Sequence, residues 1–161
     1  MSYIESVLIL AYPVVMNDKN IEIRQAFWES DLKYIQDVRT RVFVQEQGVP
    51  IELECDGNDP QMTHVLAFVN SHAAGTARMS PQGHIGRVAV LYEYRKNNIG
   101  TLLMEALENL AVSFSMDEVS LNAQTQAMGF YKSCGYKEEG EIFEEAGISH
   151  IHMKKKIVKT Y

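Results

Sequence analysis

This chain of 161 residues has little cysteine, and the two that it has stand apart. Cys55 in "LECDG" and Cys134 in "KSCGY" are too few for a disulfide framework and lack the paired spacing of a zinc site. A reducing cytoplasm is the expected setting. Basic residues are outnumbered, 15 against 21 acidic ones, for a formal net charge of -6. A surface of that sign repels nucleic acid and anionic lipid, and it leans toward a cationic acceptor such as an amine. Long hydrophobic runs are missing too. The apolar stretch "VLILAYPVVM", Val7 to Met16, is interrupted by Pro13, follows only Glu5 among charged residues, and leads to no small-residue cleavage site. It therefore reads neither as a secretion signal nor as a membrane span, and residues 1–20 are expected to form an extra strand or an N-terminal extension. There is no internal repeat and no low-complexity tract.

What is present is a globular composition, 46% apolar and 22% charged, of a length that suits one domain. "IEIRQAF" from Ile21 alternates as a strand. Ser30 or Asp31 can then cap a helix whose apolar face is Leu32, Ile35, Val38, Val42 and Phe43, running to about Gln47 with Gly48 as its stop. "VPIELECDGNDPQMT", with Glu52, Glu54, Asp56 and Asp59, reads as a loop. "HVLAFVN" and "TARM" form a hairpin through "SHAAG", and "HIGRVAVLY" follows after the turn "SPQG". From Ile99 the period becomes helical, with Leu102, Leu103, Ala106, Leu107, Leu110 and Ala111 on one face. "EVSLNA" is a strand, "TQAMGFYKSC" a short helix stopped by Gly135, and "YKEEGEIF" and "SHIHMKKKIV" are closing strands. The fold class is α/β (α+β): a mixed, mostly antiparallel sheet with helices on both faces and one parallel crossover, from "VAV" through the long helix to "SLNA".

Ligands of such sheets bind beyond the carboxyl ends of parallel strands, where "RVAVLYEYRKNNIG", Arg87 to Gly100, turns from strand to helix. A helix N-terminus offers unpaired amides and partial positive charge, suited to a pyrophosphate. Gly100 lets a ligand approach the backbone, Asn98 can cap or turn left-handed, and Arg95 with Lys96 charges the rim. The stretch is neither a Walker loop nor a dinucleotide fingerprint.

It resembles instead the acyl-CoA motif of the GNAT superfamily of N-acyltransferases, in which Gln or Arg is followed by two residues, a small residue, any residue and a small residue. Arg95, Ile99 and Gly100 match; Asn98 stands where the first small residue is usual and Lys96 where glycine is common. "RVFVQEQGVP" from Arg41 and "EEAGISHIHMKK" from Glu144 are similar to segments of a bacterial subgroup of the ElaA or YjcF type, and "LNAQTQAMGFYKSCGY" from Leu121 resembles the family's later strand and helix. The similarity covers residues 21–158, which is thereby identified as a GNAT domain.

The resemblance implies an N-acetyltransferase that moves an acetyl group from acetyl-CoA to a primary amine of a small molecule or peptide in a ternary complex, without a metal. It implies that the Val88 amide polarises the thioester carbonyl and that Val90 bonds the pantetheine arm, with Gln124 beside it. Arg95, Lys96, Asn97, Asn98, Gly100 and Thr101 would hold the diphosphate. Tyr131 would protonate the departing thiolate. Some group or water chain must take the proton of the amine, and His84, at the start of the cofactor strand, and Glu52 and Glu54, in the loop, are the candidates. His150 and His152 share one face of a strand without an evident third metal ligand. A non-catalytic acyl-CoA sensor is the alternative, and an acyl-homoserine-lactone synthase a more distant one. The acceptor, the acyl length and the oligomer, a homodimer included, stay open.

Overall fold

The computed structural model describes residues 12–16 and 19–157. Strands β1 (Tyr12–Met16) and β2 (Lys19–Ala26) pair antiparallel, so the second half of the apolar stretch does form a strand; residues 1–11 of the expected extension lie outside the described residues. Helix α1 (Trp28–Arg39) begins earlier than Ser30 or Asp31 would set it. Asp31 caps from inside the helix, its carboxylate accepting the Phe27 N–H at 2.9 Å while also holding Arg24 through two bonds. The chain then widens into a π-helical segment, Thr40–Glu46, where the Gln47 N–H reaches back five residues to Val42. Gly48, at φ 72°, ends it as expected.

The segment read as a loop contains a short helix, α2 (Ile51–Glu54), and a single 3-10 turn over Asp59–Gln61. Strands β3 (Thr63–Val69) and β4 (His72–Met79) follow. The hairpin turn is shorter than "SHAAG": Asn70 and Ser71 both take positive φ, the two-residue turn whose twist suits antiparallel strands, so β4 already starts at His72. Then come β5 (His84–Val90), α3 (Ile99–Ser113), β6 (Glu118–Gln124), α4 (Met128–Ser133), β7 (Lys137–Glu145) and β8 (Ile148–Lys156).

The eight described strands form one sheet in the order β1-β2-β3-β4-β5-β6-β8-β7. Every pair is antiparallel except β5 with β6, the crossover expected around α3. Ile99, Leu103 and Leu107 of α3 are fully buried with Val65, Ala67, Ile85, Leu121 and Met153 of the sheet, forming the main core. In β6, Val119, Leu121 and Ala123 are buried while Ser120, Asn122 and Gln124 are half-buried. Strand alternation thus gives β6 one face for the core and another for polar chemistry.

Candidate active site

Two departures from regular pairing open the site. Thr76 pairs with Ala89 and Arg78 with Gly86, so Arg87 and Val88 together face Ala77, a bulge in which Arg87 takes φ 51°. On its other edge β5 pairs with β6 only at His84↔Ser120 and Ile85↔Leu121, and beyond them the two strands part. The Leu91 N–H bonds the Ala74 carbonyl at 2.9 Å, toward β4. Main-chain groups alternate along a strand, so the amide of Val90 turns the other way, toward the space that β6 has left, and Val88 lines the same space. That space is a cavity of about 1060 Å³, lined among others by Val88, Val90, Gln124, Tyr131 and His84.

The turn after β5 is stapled from inside. The Asn97 side-chain amide donates to the carbonyls of Tyr94 and Arg95, both at 3.0 Å. Lys96 and Asn98 are left-handed, at φ 64° and 65°. Of the two roles open to Asn98 the structure takes the left-handed one: it makes no side-chain cap, and its carbonyl accepts the Leu102 N–H at 3.1 Å. A left-handed residue beside a right-handed one can turn successive N–H groups to one side, a concavity that favours an anion. Lys96 is exposed at the rim, whereas Arg95 is engaged, its Nε donating to the Val90 carbonyl at 2.9 Å and its Nη2 paired with Glu46 at 2.7 Å. Gly100 has a reason that sequence did not supply: a Cβ there would sit 3.0 Å from Cζ of Phe130. Thr101 follows in the first turn of α3.

Gln124 belongs to a chain of amides. It donates to Gln47 Oε1 at 2.9 Å and accepts from Gln126 at 2.6 Å, linking β6 to the end of the π-helical segment across the cleft. Tyr131 is buried, and that burial pushes its phenol well above the usual range, with Cys134 adding to the shift. Its ring meets those of Phe130 and Tyr136 edge-on at 5.0 and 6.1 Å.

The three base candidates part company. His84 lines the cavity, its Nδ1 3.1 Å from Ser120 Oγ and its ring stacked at 6.3 Å on His152. Burial lowers its pKa below the ordinary 6.5, helped by His152 and Arg78 and opposed by Glu145. Glu52 is exposed on α2 and does not line the cavity. Glu54 does line it but is buried and bonded to Arg39 Nε, with Arg87 Nε 3.5 Å away. His150 and His152 are each tied down, by the Ile148 carbonyl at 2.7 Å and Asn122 Oδ1 at 2.8 Å.

The feature missed in the sequence is the ion cluster that walls this side. Arg39, Arg78 and Arg87 meet Glu54, Asp56 and Asp59, three charges of each sign. Arg39 Nη1 and Arg78 Nη1 share Asp59 Oδ1 at 2.6 and 2.8 Å, and Arg78 also grips Asp56. The His64 Nε2 lies 2.9 Å from the Asp59 carbonyl. An available signal was the pair of arginines inside otherwise apolar strands, in "TARM" and "GRVAV", since a charge at an inward position requires a partner.

A mixed sheet whose one parallel pair, among the described residues, opens into a cleft beside a strand-to-helix turn is the architecture of the acyl-CoA N-acyltransferase class. The acetyltransferase (GNAT) domain family matches this chain over residues 30–157, and the chain belongs to that family. It is similar to the uncharacterized N-acetyltransferase YjcF of Bacillus subtilis, 37% identical over 131 residues that cover 79% of this chain and 94% of YjcF. Protein ElaA of Escherichia coli is 32% identical over 140 residues, 81% of this chain and 91% of ElaA. The crystal structure of ElaA matches with a TM-score of 0.73 at 30% identity, covering 84% of this chain and 99% of that one. An aminoglycoside 6'-N-acetyltransferase solved with coenzyme A has a TM-score of 0.68 over 86% of this chain and 98% of its own; at 17% identity that likeness is one of fold. Among the described residues no helix is long and apolar enough to cross a membrane.

Proposed function

We propose that the protein transfers an acetyl group from acetyl-CoA to a primary amine by direct attack within a ternary complex. The observation that carries this reading is the parting of β5 from β6 after two residue pairs, which leaves Val88 and Val90 lining a cavity shared by Tyr131 and His84; in this reading their amides face it. A strand amide without a strand partner needs another acceptor, and a thioester carbonyl and a pantetheine amide supply it. The turn from Arg95 to Asn98, left-handed at Lys96 and Asn98, and the start of α3 suit the diphosphate. The aminoglycoside acetyltransferase of like fold was solved with coenzyme A, which supports the same ligand here.

In this reading Val88 N–H polarises the carbonyl, and the amine nitrogen bonds to the carbonyl carbon as the bond to sulfur breaks. Tyr131, kept protonated by burial, gives its phenolic proton to the departing sulfur and recovers one from the nitrogen as the amide forms. His84 takes the ammonium proton, being held neutral near pH 7 and lining the cavity. We propose it over Glu54, whose carboxylate is already committed to Arg39, and over the outlying Glu52. Calorimetry with acetyl-CoA, followed by coenzyme A release against a panel of amines, tests the proposal. Binding with turnover is expected; binding without turnover on any amine favours a sensor, and no binding removes the reading.

A further inference from the structure

Arg87 has an uncommon backbone and an uncommon set of bonds, and the two belong together. It is a non-glycine residue at φ 51° inside a strand, at the bulge that precedes Val88. Left-handed backbone places Cβ against the following carbonyl, so residues with side chains persist there only where surroundings hold them. What holds Arg87 is the far wall of the cleft. Its Nη2 donates to the main-chain carbonyls of Leu53 and Glu54, both at 3.1 Å, capping the end of α2. Its Nε stands 3.5 Å from Glu54 Oε1 and its Nη2 3.5 Å from Asp56 Oδ2, and the same carboxylates are pinned by Arg39 and Arg78. Nε itself is buried without a hydrogen-bond partner, so the hydrogen bonds of this guanidinium are the two to the carbonyls of Leu53 and Glu54.

We propose that Arg87 is a positioning residue that locks the bulge of β5 to α2, and that this lock aims the Val88 amide into the cleft while fixing the wall formed by Leu53, Glu54 and Asp56. The inference rests on the role given above to the Val88 amide. Carbonyl-binding strand and acceptor wall are then one mechanical unit. Displacement of α2 would be felt at Val88, and an acceptor that presses on the wall acts on the amide that polarises the thioester.

Glycine separates backbone from side chain, because it takes left-handed φ without strain. Arg87→Gly keeps the bulge and loses the tie to α2, whereas Arg87→Ala loses the tie and keeps a Cβ that disfavours the bulge. In the free protein, the Val88 amide resonance in 1H–15N spectra is expected to move in Arg87→Ala and to stay near its wild-type position in Arg87→Gly. With substrates, Arg87→Ala is expected to lower kcat at least about tenfold with acetyl-CoA KM changed less than about twofold. Arg87→Gly should lie at least about threefold above Arg87→Ala in kcat while showing a raised KM for the amine. A Val88 resonance unmoved by Arg87→Ala, or moved equally by both replacements, overturns the proposal. The spectra decide it even if no amine is turned over, so its failure is distinguishable from failure of the acetyltransferase reading.

Discussion

At the scale of single residues the proposed chemistry rests on two side chains, Tyr131 and His84, set on a main-chain frame. Tyr131 carries its proton at any physiological pH because burial penalises the phenolate, so the group proposed as the acid is present in its protonated form. Tyr131→Phe is expected to keep acetyl-CoA affinity and to slow turnover at least about tenfold. Calorimetry and steady-state kinetics on the same preparation check this, and unchanged turnover would remove the role. For His84 the sign of the shift gives the pH dependence. Its pKa lies below 6.5, so the neutral, proton-accepting form prevails at pH 7 and is lost on acidification. The acid limb of kcat/KM should therefore fall below pH 6.5, and His84→Gln should lower the plateau and abolish that limb. Tyr131 and His84 were legible in the sequence as candidates. The sequestration of Glu54 was not, because its partner Arg39 is fifteen residues away on another element.

Among the elements, the strand-to-helix turn matters most. The helical period from Ile99 and the left-handed tolerance of Asn98 were both readable, and α3 begins at Ile99. The purpose of Gly100 was only partly readable. Sequence suggested close approach of a ligand, while the structure adds the Phe130 ring of α4, 3.0 Å from where a Cβ would stand. Gly100→Ala should therefore destabilise the fold, by about 1–3 kcal/mol, the range for overpacking, even in the absence of any ligand. Phe130→Leu in the same chain should recover much of that loss. Urea denaturation of the two single variants and the double variant tests it, and strictly additive effects would show that the ring is not the obstacle. The π-helical end of α1 left no mark in the apolar period: Leu32, Ile35, Val38 and Val42 fit an ordinary helix equally well. It nevertheless brings Glu46 and Gln47 to the cleft, where they meet Arg95 and Gln124.

Over the whole molecule, stability should respond to pH in two stages. His64 is fully buried, and burial lowers its pKa below 6.5 despite the nearby Asp59; His84 is lowered as well. As pH falls below 6.5 the unfolded chain takes up protons that the folded one refuses, so stability declines first in that window. The arginine partners act lower down. Arg78 holds Asp56 below the ordinary carboxylate value, Arg24 does so for Asp31, and at Asp59 burial pushes upward but Arg39 and Arg78 prevail. Their contribution is present above the ordinary value of 3.8 and is lost as pH falls through the depressed ones. Thermal melts from pH 8 to 3 should show a shallow decline beginning near 6.5 and a steeper one below about 4. His64→Leu should flatten the first stage whatever its effect on absolute Tm. A first stage of unaltered slope would show that another group supplies it.

Local pattern alone determined most of the strand and helix sequence, the long amphipathic helix, the parallel crossover and the strand-to-helix turn, because apolar period and turn chemistry act between near neighbours. Tertiary structure decided the rest: which glutamate is bound by Arg39, how Arg87 reaches α2, why Gly100 lacks a side chain, and how far β5 and β6 stay together. Each of these depends on groups distant in the chain meeting at a few ångströms, where burial and pairing set charge and backbone geometry, and no local periodicity encodes such a meeting.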